Sequence, residues 1–173
     1  MSAPLPSLAT RRSYDATVYR VAPPDGPGLR IDRHDPGAEA WLAAAGARRM
    51  ALMTAWHPMS RLRPDRLNRA RLAMLARRAA AGAVCLLPSM GEGAGDWPPE
   101  PGLAVAGLTR GRALRLARRF RQHAIVWVEP GRPPRLLWCW AGRDAVAHHL
   151  PRCRRREALL RQTRRWPAVL TLA

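Results

Sequence analysis

Residues 50–60 read Met50-Ala51-Leu52-Met53-Thr54-Ala55-Trp56-His57-Pro58-Met59-Ser60. The run Met50–Trp56 (MALMTAW) is continuously apolar apart from Thr54, too short for a helix and unbroken by polar alternation. Such a run is the mark of a strand buried on both faces. Helix signals stand on either side. Asp35-Pro36-Gly37 opens a helix that reaches about Ala45, with proline in its first turn. Pro64 and Asp65 open the next, which ends near Gly82. A buried strand between two helices predicts an α/β fold.

Working outward from that strand, Thr17–Val21 (TVYRV) alternates and reads as a strand, the Pro/Gly cluster at 22–28 as a turn, and Leu29–Ile31 as a short second strand. Val84–Leu87 and Leu103–Gly107 read as strands, and Thr109 caps a helix to about Gln122. Ala124–Val128 and Arg135–Trp140 form a strand pair around the turn EPGRPP. Residues 88–102 (PSMGEGAGDWPPEPG) carry no period and are expected to be a long loop. The expected architecture is a mixed β-sheet covered by helices in a single compact domain. Residues 1–13 read as a flexible leader, 14–140 as the α/β domain and 141–173 as a basic helical C-terminal extension.

A chain of 173 residues suits one domain and excludes a large multidomain enzyme. With 47% apolar residues it is not a mainly disordered chain. All 30 basic residues are arginine. A GC-rich coding bias accounts for arginine in place of lysine, but not for a formal charge of +18. The excess is uneven: residues 1–109 hold 14 arginines against 9 acids, residues 110–173 hold 16 against 3. That asymmetry draws polyanions such as RNA, DNA or an anionic membrane surface. Cys85, Cys139 and Cys153 show no zinc spacing and read as reduced thiols of a cytoplasmic protein. No signal peptide is legible, and no apolar run is long enough to span a membrane. His148, His149 and Cys153 cluster in sequence, yet Pro151 interrupts them and no fourth ligand follows, so neither metal nor cofactor is expected.

Chemistry is expected first where the central strand ends, because ligands of α/β sheets sit beyond strand ends. Thr54, His57 and Ser60 lie there, and their alternative role is to stabilise the turn. Asn68 falls inside the apolar arc formed by Leu67, Leu72, Leu75 and Ala79, with Arg71 at its edge. A buried asparagine must find partners, so Asn68 either pins the 56–64 loop or meets a ligand. Glu100, beside Trp97, is an acid among prolines, suited to general-base work or to a pairing with arginine. Gln122 closes a helix whose outer face carries Arg112, Arg115 and Arg119, a solvated face or a polyanion contact. Arg154, Arg155 and Arg156 extend the same expectation into the C-terminal segment.

The strings SYDATVYRV from Ser13, TAWHPMS with Asn68, WPPEPGLAV and FRQHAIVWV together resemble the bacterial family catalogued as domain of unknown function 3293, over residues of about 14–140. The matching positions are Thr54, Pro58, Ser60, Asn68, Trp97, Glu100, Phe120, Gln122 and Ala124. His57 replaces the family's usual Asn, and Pro101 and Gly102 replace the Ser that often follows the Glu. The resemblance implies that these remote polar segments belong together, and it supplies no activity.

The resulting expectation is a polar cleft at the sheet edge that binds an anionic ligand, a nucleotide or a nucleic acid. Thr54, Ser60, Asn68, Arg71, Trp97 and Gln122 are its expected ligand-binding residues. One alternative is an enzyme acting on a small phosphorylated or nucleoside substrate, with Glu100 as general base and His57 as acid. Another is an interaction module whose polar residues only hold loops.

Overall fold

A computed structural model describes residues 6–140. Its seven strands are β1 (Val18–Val21), β2 (Gly28–Leu29), β3 (Met50–Thr54), β4 (Cys85–Glu92), β5 (Glu100–Ala106), β6 (Ala124–Val128) and β7 (Arg135–Trp138). Its four helices are α1 (Leu8–Ala16), α2 (Pro36–Ala44), α3 (Asp65–Ala80) and α4 (Arg110–Arg119). The strands form one curled sheet in the order β2-β1-β4-β5-β3-β6-β7. The fold is α/β and a single compact domain.

Every pairing in the sheet is antiparallel, where the sequence suggests a mixed one. The physical reason lies in strand insertion. Helix α3 joins β3 to β4, which run the same way, but β5 sits between them and pairs with both. Helix α4 likewise joins β5 to β6 across β3. These are two interlocked split β-α-β units, the arrangement of ferredoxin-like folds.

The buried run reads as expected. Met50 and Leu52 of β3 join one apolar cluster, with Val21, Leu29, Val126 and the α2 residues Ala38 and Leu42. Ala51 and Met53 join the other, under Leu72 and Leu75 of α3 and Ala113, Leu116 and Ala117 of α4. A strand with helices over both faces has no solvent side, which is why polar alternation is missing.

The caps follow the sequence. Asp35 accepts from the Ala38 N–H at 3.1 Å, and Thr109 from the Arg112 N–H at 3.3 Å. Two segments differ. The loop expected at 88–102 is mostly strand, because β4 and β5 pair from Cys85↔Ala106 out to Gly91↔Glu100. Gly102 permits this: a Cβ there would lie 2.8 Å from both the Met53 carbonyl oxygen and Ser89 Oγ. Helix α1 replaces much of the leader expected at 1–13. Ser7 caps it, accepting from the Thr10 N–H at 3.1 Å, and none of its residues is buried, so no apolar periodicity announced it. The extension expected over 141–173 lies outside the described residues.

Candidate functional site

Strand parity decides what the face of the sheet opposite α3 and α4 presents. The pairs Thr54↔Gly102, Ser89↔Gly102 and Gly91↔Glu100 put Thr54, Ser89 and Glu100 on that face. Tyr19↔Gly91 adds Tyr19, and Leu52↔Val126 with Val126↔Leu136 adds an apolar flank. Helix α1 closes one side with Ser13 and Tyr14. Between them lies a cavity of about 320 Å³.

Of the residues expected to form a site, Thr54, Ser60, Trp97, Glu100 and Gln122 line this one cavity. It opens on the face of the curled sheet, not at its edge. Glu100 is its only carboxylate, and no arginine lines it among the described residues. The Trp97 Nε1–H donates to Glu100 Oε1 at 2.8 Å. Burial pushes the Glu100 carboxyl up to about 7, although the Trp97 hydrogen bond acts the other way.

His57, Asn68 and Arg71 stand behind the cavity and hold its wall. Three residues of the wall segment, His57, Met59 and Ser60, have positive φ of 40°, 55° and 54°. Non-glycine residues rarely adopt that region, so the segment needs outside support. Asn68, fully buried, supplies part of it. Its Oδ1 accepts the His57 N–H at 3.3 Å, and its Nδ2 donates to the Arg63 carbonyl at 3.0 Å. His57 Nδ1 accepts the Arg63 N–H at 3.1 Å, and burial lowers the imidazole pKa. An Nδ1 that accepts leaves Nε2 to carry the ring proton. The ring stands edge-on to Trp97, with ring centroids 5.6 Å apart.

Arg71 spans to α4. Its Nε donates to the Ala55 carbonyl at 2.9 Å and its Nη2 to the Phe120 carbonyl at 2.6 Å. Gln122 Nε2 donates to the Trp56 carbonyl at 2.8 Å, and Thr54 Oγ1 to the Pro101 carbonyl at 2.7 Å. Thr54 and Gln122 thus shape the wall while lining it.

The sequence reading did not single out the tyrosines as site residues. The chain has two, Tyr14 and Tyr19, and both line the cavity. Tyr19 Oη donates to the Tyr14 carbonyl at 2.9 Å, and the Tyr14 ring meets Trp138 edge-on at 5.7 Å. Desolvation against the cavity wall, though Tyr14 is only half-buried, and then the Glu100 charge push the Tyr14 phenol up, against a hydrogen bond with Ser60. Their scarcity in a chain so rich in arginine was the available signal.

Of the expected polyanion contacts, Arg115 and Arg119 are exposed on α4, and Arg112 is half-buried against Gly82. Arg154, Arg155 and Arg156 lie outside the described residues. Among the described residues no group of three or more His, Cys, Asp or Glu could hold a metal ion. No helix among them is long and apolar enough to cross a membrane.

Residues 53–125 match the family model described as Protein of unknown function (DUF3293). The match contains the nine matching positions from Thr54 to Ala124, but the SYDATVYRV string and the rest of the 14–140 range lie outside it, with α1 and the tyrosines. No curated protein and no solved structure matches the chain.

Proposed function

Starting from a DUF3293 segment whose description assigns no activity, we propose that the cavity binds one small, partly apolar molecule through a hydrogen-bond donor or cationic group placed against Glu100. The observation that carries this reading is the setting of Glu100, a shielded carboxylate that, among the described residues, shares its cavity with no other carboxylate and no arginine. A volume of about 320 Å³ is at the small end of ligand pockets, which run from about 300 to 1,000 Å³. Leu52, Ile125, Val126 and Leu136 offer apolar contact, while Tyr14, Ser60 and Ser89 offer hydroxyls. The nucleotide expected from net charge fits only by its base or sugar. A phosphate inside would face Glu100, and no guanidinium among the described residues would hold it.

The test is native mass spectrometry and thermal shift against matched sets of nucleosides, amines and mononucleotides. Nucleosides or amines should stabilise the protein, and Glu100→Gln should weaken a cationic ligand at least about tenfold. Preference for the phosphorylated set, or equal binding by the variant, would sink the reading.

One observation favours a second reading, an enzyme with Glu100 as general base. A carboxyl near neutrality can take and return a proton at working pH. In that reading His57 positions Trp97 instead of serving as the acid, since its Nδ1 is occupied and its ring lies behind the indole. Glu100→Gln would then abolish turnover and retain binding.

A further inference from the structure

Helices α3 and α4 lie on the sheet face opposite the cavity, and each carries five arginines. Asp65 is the single acid on the pair, at the exposed start of α3, where it meets Arg69 at 3.5 Å. The two helices run in opposite directions. Arg71, midway along α3, reaches Phe120 just past the end of α4, and the Arg112 side chain, near the start of α4, lies against Gly82 just past α3. Arg71 and Arg112 therefore mark the two ends of one seam. A spacing of seven residues returns to the same side of a helix, which puts Arg78 with Arg71 and Arg119 with Arg112. Arginines from both helices thus face one seam, and among the described residues no acid answers them there.

Left alone, this arrangement is costly. Burial and the charges of Arg121 and Arg63 pull the Arg71 pKa down. Arg112 Nε is buried and has no hydrogen-bond partner among the described residues. A buried donor without a partner is costly, and like charges across a packed interface add to it. A line of anionic groups along the seam would offset the repulsion.

We propose that the α3–α4 seam is a docking surface for the phosphate backbone of a nucleic acid, held by Arg78, Arg112, Arg115 and Arg119. Charge complementarity selects a polyanion, and guanidinium forks suit phosphate oxygens. A membrane surface fits less well. An interfacial helix needs an apolar face to insert, and Ala113, Leu114, Leu116 and Ala117 of α4 are buried in the domain core. Backbone contacts of this kind give affinity with little sequence preference.

The experiment is fluorescence anisotropy of the full chain with short labelled RNA and DNA duplexes across a salt series. The variants are Arg78→Gln/Arg115→Gln/Arg119→Gln, whose sites are all exposed, and Arg112→Gln alone. Circular dichroism confirms that each is folded. Wild type should bind with a steep log–log salt dependence. The triple variant should lose at least about tenfold in affinity and about 0.9 of slope for each phosphate contact removed. Arg112→Gln should weaken binding in the same direction. Three results would overturn the inference: no binding to either duplex, unchanged affinity and slope in the triple variant while Arg154→Gln/Arg155→Gln/Arg156→Gln abolishes binding, or equal competition by phosphatidylserine vesicles at matched phosphate. Glu100→Gln should bind the duplex like wild type, so failure of this inference and failure of the cavity reading are read separately.

Discussion

Glu100 shows how one residue ties the fold to pH. Its folded pKa, about 7, stands above the ordinary carboxyl value of 4.5. The folded chain therefore holds this proton more tightly than the unfolded chain does. Its favourable contribution is complete below about pH 4.5, is lost as pH rises to about 7, and changes little beyond. Glu100→Gln removes that slope, since the amide keeps the shape without the charge. Urea unfolding at pH 5 and pH 8 should show the variant gaining on wild type at the higher pH by roughly 1–3 kcal/mol. Equal differences at both values would mean that the carboxyl is solvated in the folded chain. Neighbouring residues also show what a sequence reveals at this scale. Asn68 was legible as a buried polar residue because it interrupts an apolar arc, and it is fully buried. Leu67, placed in the same arc, is 46% exposed, because the arc of α3 that meets the sheet is centred on Leu72, Leu75 and Ala79.

Among the elements, those with strong periodicity or clear caps were legible: β3, β6, α2, α3 and α4 all stand within a few residues of where the sequence placed them. Of the β4–β5 hairpin only the inner ends, read at 84–87 and 103–107, were legible; the outer parts were not, because they carry prolines and glycines that locally argue for a loop. Long-range pairing overrides that local preference, and Gly102 is where it does so most tightly. Gly102→Ala would press a methyl against the Met53 carbonyl oxygen and Ser89 Oγ, each 2.8 Å away. Overpacking of this kind should cost about 1–3 kcal/mol, read as a lower urea midpoint, and a neutral result would show that β5 can shift away from β3. Helix α1 escaped for the opposite reason. No residue of it is buried, and what holds it is specific: the Ser7 cap, the Tyr19–Tyr14 hydrogen bond and the contact of Tyr14 with Trp138. Hydrogen exchange should therefore find the α1 amides opening far more readily than those of β3 and β5. Protection equal to that of the central strands would show that the helix is part of the cooperative core.

Across the whole molecule, the charge asymmetry visible as counts along the chain becomes an asymmetry between faces. The ion pairs Arg20–Glu92, His34–Glu39 and Arg135–Glu129 belong to the strands, turns and α2, away from the seam. The helical layer carries ten arginines, five on each helix, and one acid of its own; Arg69 pairs with that acid and Arg110 also has a partner, which leaves the arginines of the seam. Two opposing effects of salt follow. Screening weakens the attractive pairs, which are partly exposed and worth little individually. It also relieves the repulsion along the seam, where more like charges lie within a Debye length of about 10–30 Å at salt between about 0.1 and 0.01 M. The second effect has more terms and less compensation, so it should win. Raising sodium chloride from about 0.01 to 0.15 M should raise the urea midpoint. The seam variant Arg78→Gln/Arg115→Gln/Arg119→Gln should start higher at low salt and gain less. If chloride destabilises wild type instead, attraction within the domain outweighs the seam, and the strain attributed to Arg71 and Arg112 has been relieved by contacts inside the protein.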